Sequence, residues 1–417
     1  MSAAESGGDP RGTAVWITGV GVAAPTGIGA ADHWDATLRG RSGIAPLTRF
    51  DTGGYPSVLA GQVTGFDPEA HLPKRLLPQT DVSTRLALTA AAEAIADARL
   101  DTGSVEDYDM GIVTSNATGG FEFTHREFRK LWRQGPSFVS VYESFAWFYA
   151  VNTGQISIRH GLRGPGSAFV ADHAGGLDAL GHARRLIRKG TPVVVAGGTD
   201  SALDPWGYAS HIAGGQITRE SDPARAYLPF DAGAAGHVPG EGGALLVLES
   251  RASAEARGAA PRAEVAGYAT GFDPAPGRGR PPVQRRVIES ALADAGIGPG
   301  DVDAVFADAA AVPAADAAEA RAVREVFGRN GVPVTAPKAL VGRLGSGGGP
   351  LDVATAAAAL DAQLIPPTGA DCRVPDSYGI DLVRLVPRPA PLRAVVVLAR
   401  GLRGFASAVV LRTAGAH

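Results

Sequence analysis

Two periods run through this chain: short unbroken apolar stretches of strand length, and longer segments in which apolar residues return every three or four positions. Val15-Trp16-Ile17-Thr18-Gly19-Val20-Gly21-Val22 reads as a first buried strand ending near Pro25, and a helix carrying Leu38 begins at Asp32-His33-Trp34. Ser83-Thr84-Arg85-Leu86 opens an Ala-rich helix to about Ala98, and Met110–Thr114 is the next strand. From Phe121 to Trp132, the residues Phe121, Thr124, Phe128 and Leu131 fall on one helical stripe flanked by Arg126, Arg129, Lys130 and Arg133. Pro192–Gly198 is a fully buried strand by its continuous apolar run. The second half repeats the style. It has a strand at Asp303–Ala307 ending at Asp308, an Ala-rich helix from about Asp316 to Phe327, and Val332–Thr335 entering a Gly-rich turn. A closing hairpin, Ala394–Ala399 with Ser407–Leu411, completes it.

The segment around which this pattern is organised is Pro165–Leu186. A short apolar run reaches a tight turn at Asp172-His173, and small residues then open an amphipathic helix with Leu177, Leu180 and Leu186 on one side. A strand turning abruptly into a helix exposes a side chain beside a helix N-terminus, which favours developing negative charge and suits a nucleophile. The residue at that point is His173; neither Cys nor Ser stands there.

Composition narrows the possibilities. At 417 residues with 45% hydrophobic content, the chain can bury one large core or two fused ones. A formal net charge of -3 leaves no domain-wide cationic excess to neutralise phosphates, so nucleic acid is not expected as a partner. The one cysteine, Cys372, excludes an internal disulfide and a cysteine-based metal cluster. His125, His160, His182, His211 and His237 show no metal-ligand spacing, so no metal is assigned. No apolar run reaches the roughly 18 residues that span a bilayer, and Met1–Pro10 lacks the basic start and apolar core of an export signal. A soluble cytoplasmic protein is expected, with residues 1–12 as a disordered tail. The Gly19-x-Gly21 pair is no dinucleotide loop, because Gly27-Ile28-Gly29 follows at the wrong spacing and no helix opens directly from the strand.

The turn and its flanks resemble the nucleophile turn of β-ketoacyl synthases, which have Cys at the position of His173. They resemble more closely the chain-length factors (KSβ subunits) of type II polyketide synthases, which usually carry Gln there within Asp-Gln-Ala-Gly-Gly-Leu-Asp-Ala. Here the run is Asp172-His173-Ala174-Gly175-Gly176-Leu177-Asp178-Ala179. Pro229-Phe230-Asp231 and Gly240-Glu241-Gly242-Gly243-Ala244 also match family segments, in which the acidic residue and glycines brace the site. The resemblance covers about residues 14–412. It implies an α/β, thiolase-like duplicated αβαβα layered fold with sheets between helix layers. The two halves would be residues 13–255 and 256–417, with the boundary within Ser250–Pro261.

It also implies missing chemistry. A decarboxylating Claisen condensation needs a thiolate, plus donors that stabilise an enolate and an oxyanion; active ketosynthases use one Cys, two His and a Lys. The matching positions here are His173 for the Cys, Asp308 for the first His, Lys338 retained, and Arg343 for the second His. An acyl-imidazole at His173 would hydrolyse readily, and an anionic Asp308 would repel the enolate. His173 is expected to be a hydrogen-bonded turn residue, and Lys338 with Asp308 a structural ion pair. Arg343 is expected to pair with Asp308 or Asp172 and hold the remnant site shut. Phe405 matches a gate residue of ketosynthases and reads here as packing.

The implied role is therefore a chain-length factor that does not condense alone. It would pair with a catalytic KSα ketosynthase supplying the Cys and both His, across an interface to which the aromatic run Ser140–Asn152 is suited. The positions of Phe121, Thr124 and Phe128 would line the end of the polyketide tunnel, unless that stripe simply faces the core. Two phenyl rings there point to an octaketide-like product. No cofactor is expected: substrate would arrive on the phosphopantetheine arm of an acidic acyl carrier protein. Arg184, Arg185, Arg188 and Lys189, or the Arg126–Arg133 cluster, are its candidate contacts, the alternative being ordinary solvated helix faces. Two other readings stay open: a malonyl-carrier-protein decarboxylase that primes synthesis, and an atypical ketosynthase homodimer.

Overall fold

Strand β1 (Val15–Ala24) is buried at every position, and its two internal glycines explain how. Beyond it come helix α1 (Ala30–Leu38) and helix α2 (Val82–Asp97), whose Ala-rich face lies against the strand. A Cβ on Gly19 would stand 2.2 Å from the carbonyl oxygen of Ala94, and one on Gly21 would stand 1.9 Å from that of Ala90. These glycines let a helix backbone approach a strand. The computed structural model describes residues 14–275 and 279–415, so the tail expected at 1–12 lies outside them.

The first half continues with β2 (Met110–Ser115), α3 (Phe121–Gln134), α4 (Val151–His160), β3 (Gly166–Phe169) and α5 (Gly175–Arg188). Then follow β4 (Val193–Asp200), α6 (Pro205–Ala213) and β5 (Gly242–Ser250). The second half holds β6 (Ala263–Phe272), α7 (Gln284–Ala295), β7 (Ala304–Phe306), α8 (Pro313–Phe327) and β8 (Pro333–Thr335). It ends with α9 (Gly348–Ala362), β9 (Asp381–Leu382), β10 (Ala394–Arg400) and β11 (Phe405–Arg412).

Strand order exposes the duplication that the residues alone do not. The first half runs β3-β2-β4-β5-β1 and the second runs β8-β7-β10-β11-β6, with β9 added at the far edge. Directions agree position for position: β1/β5 and β5/β4 are antiparallel while β4/β2 and β2/β3 are parallel. In the second half β6/β11 and β11/β10 are antiparallel while β10/β7 and β7/β8 are parallel. The halves join where β1 and β6 pair briefly at Trp16↔Glu264 and Ile17↔Ala263.

Side-chain alternation then builds the layers. On β4, Val193 and Val195 point into a core shared with α2, whereas Val194 and Ala196 point into one shared with α5 and α9. On β10, Val395 and Val397 join that same central core, and Val396 and Leu398 pack with α7 and α8. Each sheet is thus covered on both faces, with α5 and α9 forming the middle layer. The N-termini of these two helices meet so closely that a Cβ on Gly176 would lie 2.1 Å from the Ser346 carbonyl oxygen. Among the described residues no helix is long and apolar enough to cross a membrane.

Candidate functional site: a filled remnant centre beside an aromatic cavity

Parallel strands leave their chain ends on one edge, so the loops after β3, β7 and β8 converge. They deliver His173, Asp308, and Lys338 with Arg343, and these four side chains line one cavity of only about 20 Å³. That is room for about one water molecule. The strand-to-helix turn is strained at Asp172, whose φ is +51°. The Asp172 carboxylate accepts a hydrogen bond from the Leu402 N–H, which fastens the turn to the loop before β11. His173 is not the exposed residue that a nucleophile turn suggests: its side chain is 14% exposed, and its Nδ1 lies 3.2 Å from the Gly345 carbonyl oxygen.

The charges pair differently from the expected Lys338–Asp308 couple. Arg343 grips Asp308 in a fork, Nη1 to Oδ2 and Nη2 to Oδ1 each at 3.1 Å, and also donates to the carbonyls of Asp308 and Arg400. Lys338 turns instead to Asp352 on the first turns of α9, at 2.7 Å. A planar guanidinium matches a carboxylate edge to edge, which an ammonium cannot do, so the arginine takes the deeper acid. Burial would push the Asp308 carboxyl up, but Arg343 and then Lys338 overcome it and hold it below its ordinary range. Burial, with Arg343 beside it, lowers His173 despite Asp172 and Asp308. The centre therefore offers a neutral imidazole and two closed ion pairs, with no free cation facing the cavity among the described residues.

Sequence spacing missed two further histidines. His237 stacks edge-on to His173, ring centres 6.4 Å apart, and approaches Tyr227 at 6.5 Å. Burial and then Arg343 lower His237 well below its usual value, and its buried Nδ1 has no hydrogen-bond partner among the described residues. His211 on α6 is pushed down to about 4 by burial and by His173. Glu241 and Asp231 brace the surroundings at a distance. Glu241 binds Arg49, Ser201 and the Val63 N–H, while Asp231 accepts from Gly233 and Arg373. Phe405 meets Phe272 edge-on, ring centres 4.9 Å apart, with both rings partly solvent-facing.

A second feature surrounds α3. Asp81, the N-cap of α2, accepts hydrogen bonds from the Ser83 and Phe123 N–H groups, both at 2.9 Å, and so fixes α3 to α2. The stripe Phe121–Thr124–Phe128 does not face the core, which is filled instead by Phe123 and by Glu127 with its partners Lys130 and Ser140. The stripe walls a mainly apolar cavity of about 460 Å³ together with Glu143, Trp147, Tyr149 and Trp206. Trp206, another residue without a sequence signal, lies against both phenyl rings at 5.0 and 5.7 Å. Between Trp132 and Phe148, the side chains of Trp132, Phe138, Val141, Phe145, Trp147 and Phe148 are exposed, Trp147 at the cavity itself.

Of the basic clusters, Arg184 is removed as a surface contact: it is buried, bonded to Asp294 and to the Val265 and Ala266 carbonyls. Arg185, Arg188 and Lys189 are exposed. On the other side of α3, Arg126, Arg129, Lys130 and Arg133 border a separate cavity of about 440 Å³.

The beta-ketoacyl synthase N-terminal domain family matches residues 13–254, and the C-terminal domain family matches residues 262–370. The chain is 65% identical over 399 residues to the beta-ketoacyl synthase 2 of the actinorhodin polyketide of Streptomyces coelicolor, across 95% of this chain and 98% of that one. Its structure is similar to the ishigamide ketosynthase/chain length factor, with a TM-score of 0.87 and 27% identity over 96% of this chain and 99% of that one. It is also similar to a type II polyketide synthase acyl-carrier protein complex with its ketosynthase bound to the hexaketide, with a TM-score of 0.85 and 26% identity over 97% and 100% of the two chains. With a ketosynthase fold kept whole around an imidazole and paired charges, the chain belongs to the β-ketoacyl synthase family, as a chain-length factor of the type II polyketide synthase kind.

Proposed function

We propose that this subunit contributes shape rather than bond-forming chemistry: paired with a catalytic ketosynthase in the cytoplasm, it closes the far end of the tunnel into which the polyketide grows. The observation that carries this reading is the contrast between its two cavities. The centre homologous to a catalytic site is filled by the Arg343–Asp308 pair down to about 20 Å³, whereas the Phe121–Thr124–Phe128 wall borders an open cavity of about 460 Å³. The exposed aromatic belt from Trp132 to Phe148 supplies the apolar area that a stable subunit interface buries. Arg185, Arg188 and Lys189, or the basic side of α3, are the surfaces to which an acidic carrier protein would be drawn. The phosphopantetheine chain would bring the substrate, and this subunit needs no cofactor of its own.

The test is reconstitution with the partner ketosynthase and carrier protein. Phe121→Ala and Phe128→Ala together should lengthen the product by one or more two-carbon units. Unchanged length makes the rings ordinary packing and defeats the proposal. The isolated subunit should release no carbon dioxide from malonyl carrier protein above the level of a His173→Ala variant; a clear excess would support the decarboxylase reading instead.

A further inference from the structure

Two polar groups interrupt the aromatic wall of the large cavity, and neither makes a well-formed hydrogen bond among the described residues. Thr124 is 6% exposed, and its hydroxyl has no hydrogen-bond partner among the described residues; nor has the buried Oε2 of Glu143. Both side chains line the cavity beside Phe121, Phe128, Trp147 and Trp206. They are neighbours, close enough for the hydroxyl to interact weakly with the carboxyl. Burial raises the Glu143 carboxyl above its ordinary range, and the Thr124 hydroxyl draws it partly back. Glu143 is on the first turn of a short helix, Glu143–Ala146, which packs on α3 and so keeps the two groups in register. Unsatisfied polar atoms are uncommon in folded proteins and costly to leave unpaired, so a pair of them in one cavity points to something that completes them.

We propose that Thr124 and Glu143 form a subsite for an enolised 1,3-dicarbonyl, the repeating unit of a poly-β-keto chain. The Thr124 hydroxyl donates to the keto oxygen, and the Glu143 carboxyl accepts the enol O–H. A donor and an acceptor side by side match that unit. A fully reduced acyl chain offers neither group, and an isolated ketone offers only an acceptor, so the subsite selects unreduced chains as well as registering their far end. This inference rests on the cavity being the tunnel end, and it adds a polar recognition element to a wall otherwise read as steric.

The experiment uses the heterodimer reconstituted with carrier protein, comparing Thr124→Val, Glu143→Leu and Glu143→Gln. Thr124→Val and Glu143→Leu should each lower the ratio of the main product to its neighbours one unit longer or shorter by about fivefold, the worth of one hydrogen bond. Glu143→Gln, which keeps an acceptor oxygen, should fall between these and the parent. As a direct probe, acetylacetone should show stronger saturation-transfer NMR signals with the heterodimer than 2-pentanone of similar size, and Thr124→Val should level the two. Unchanged product ratios and equal probe signals, in variants that still assemble, overturn the subsite; if Glu143→Leu fails to assemble, the isosteric Thr124→Val decides. In that event a Phe128→Ala variant that still lengthens the product leaves the tunnel reading standing, and one that does not removes both.

Discussion

Taking away the guanidinium at position 343 while leaving the carboxylate at 308 probes the centre most directly. In Arg343→Leu the Asp308 carboxylate loses both fork contacts, and the Asp308 and Arg400 carbonyls lose their donors. What remains on the acid is the Arg400 N–H at 2.8 Å. The two side chains are 5% and 6% exposed, so solvent cannot take over. Breaking one side of a buried pair in this way costs about 3–5 kcal/mol, whereas replacing both partners with apolar residues is often neutral. We therefore expect Arg343→Leu to lose about 3–5 kcal/mol in urea unfolding followed by tryptophan fluorescence, and Asp308→Leu combined with Arg343→Leu to recover most of it. The pH dependence follows from the sign of the shift. With its folded pKa depressed, Asp308 in the parent stabilises the fold above its unfolded value of about 3.9 and loses that contribution only as pH falls through the folded value. In Arg343→Leu burial is no longer opposed by the guanidinium, so the deficit should shrink on mild acidification as Asp308 takes up a proton. A single-variant cost below about 1 kcal/mol, typical of an exposed pair, or a double variant no better than the single, would refute the argument that this pair closes the centre.

Other expectations concern the supports around it. Trp206→Ala should shift products towards greater length, because its ring backs both Phe121 and Phe128; product mass spectra of the reconstituted synthase check this. Arg184→Met should destabilise the subunit by about 3 kcal/mol in the same unfolding assay, through the Val265 and Ala266 carbonyls that lose its donors and the lost ion pair with Asp294, whereas Arg185→Ala should change stability by less than about 0.5 kcal/mol. Glu319 accepts the Asp308 and Ala309 N–H groups, each at 2.8 Å, and burial followed by the Asp308 charge raises its carboxyl to about 7. A raised acid favours the fold below its unfolded pKa and loses that contribution as pH climbs to the folded value. Stability should therefore fall by up to about 3 kcal/mol between about pH 4.3 and 7, and Glu319→Gln should flatten that slope.

Much of this architecture was legible in local patterns. Unbroken apolar runs located β4 and β10, and helical spacing located α2, α3 and α5 to within a residue or two, because burial on one or both faces leaves its period in the chain. His173 at the turn, and Arg343 as a partner of Asp308 or Asp172, followed from residue chemistry and from the resemblance to ketosynthases; that Asp308 is the partner came from the structure. Other features depended on how distant segments meet. Lys338 binds Asp352 rather than Asp308 because α9 brings that acid over the turn after β8. Arg184 is interior because α5 forms the middle layer, where its own helix period shows a polar face. Trp206, Glu143, His211 and His237 carry no spacing signal, since each reaches its site from a different element of the fold. The polypeptide's own pattern determined its elements and the loss of the nucleophile. Which charges cancel, which aromatics form a wall, and which polar groups stay open were decided only by the tertiary structure, because periodicity records the face a residue turns inward and not the neighbour it finds there.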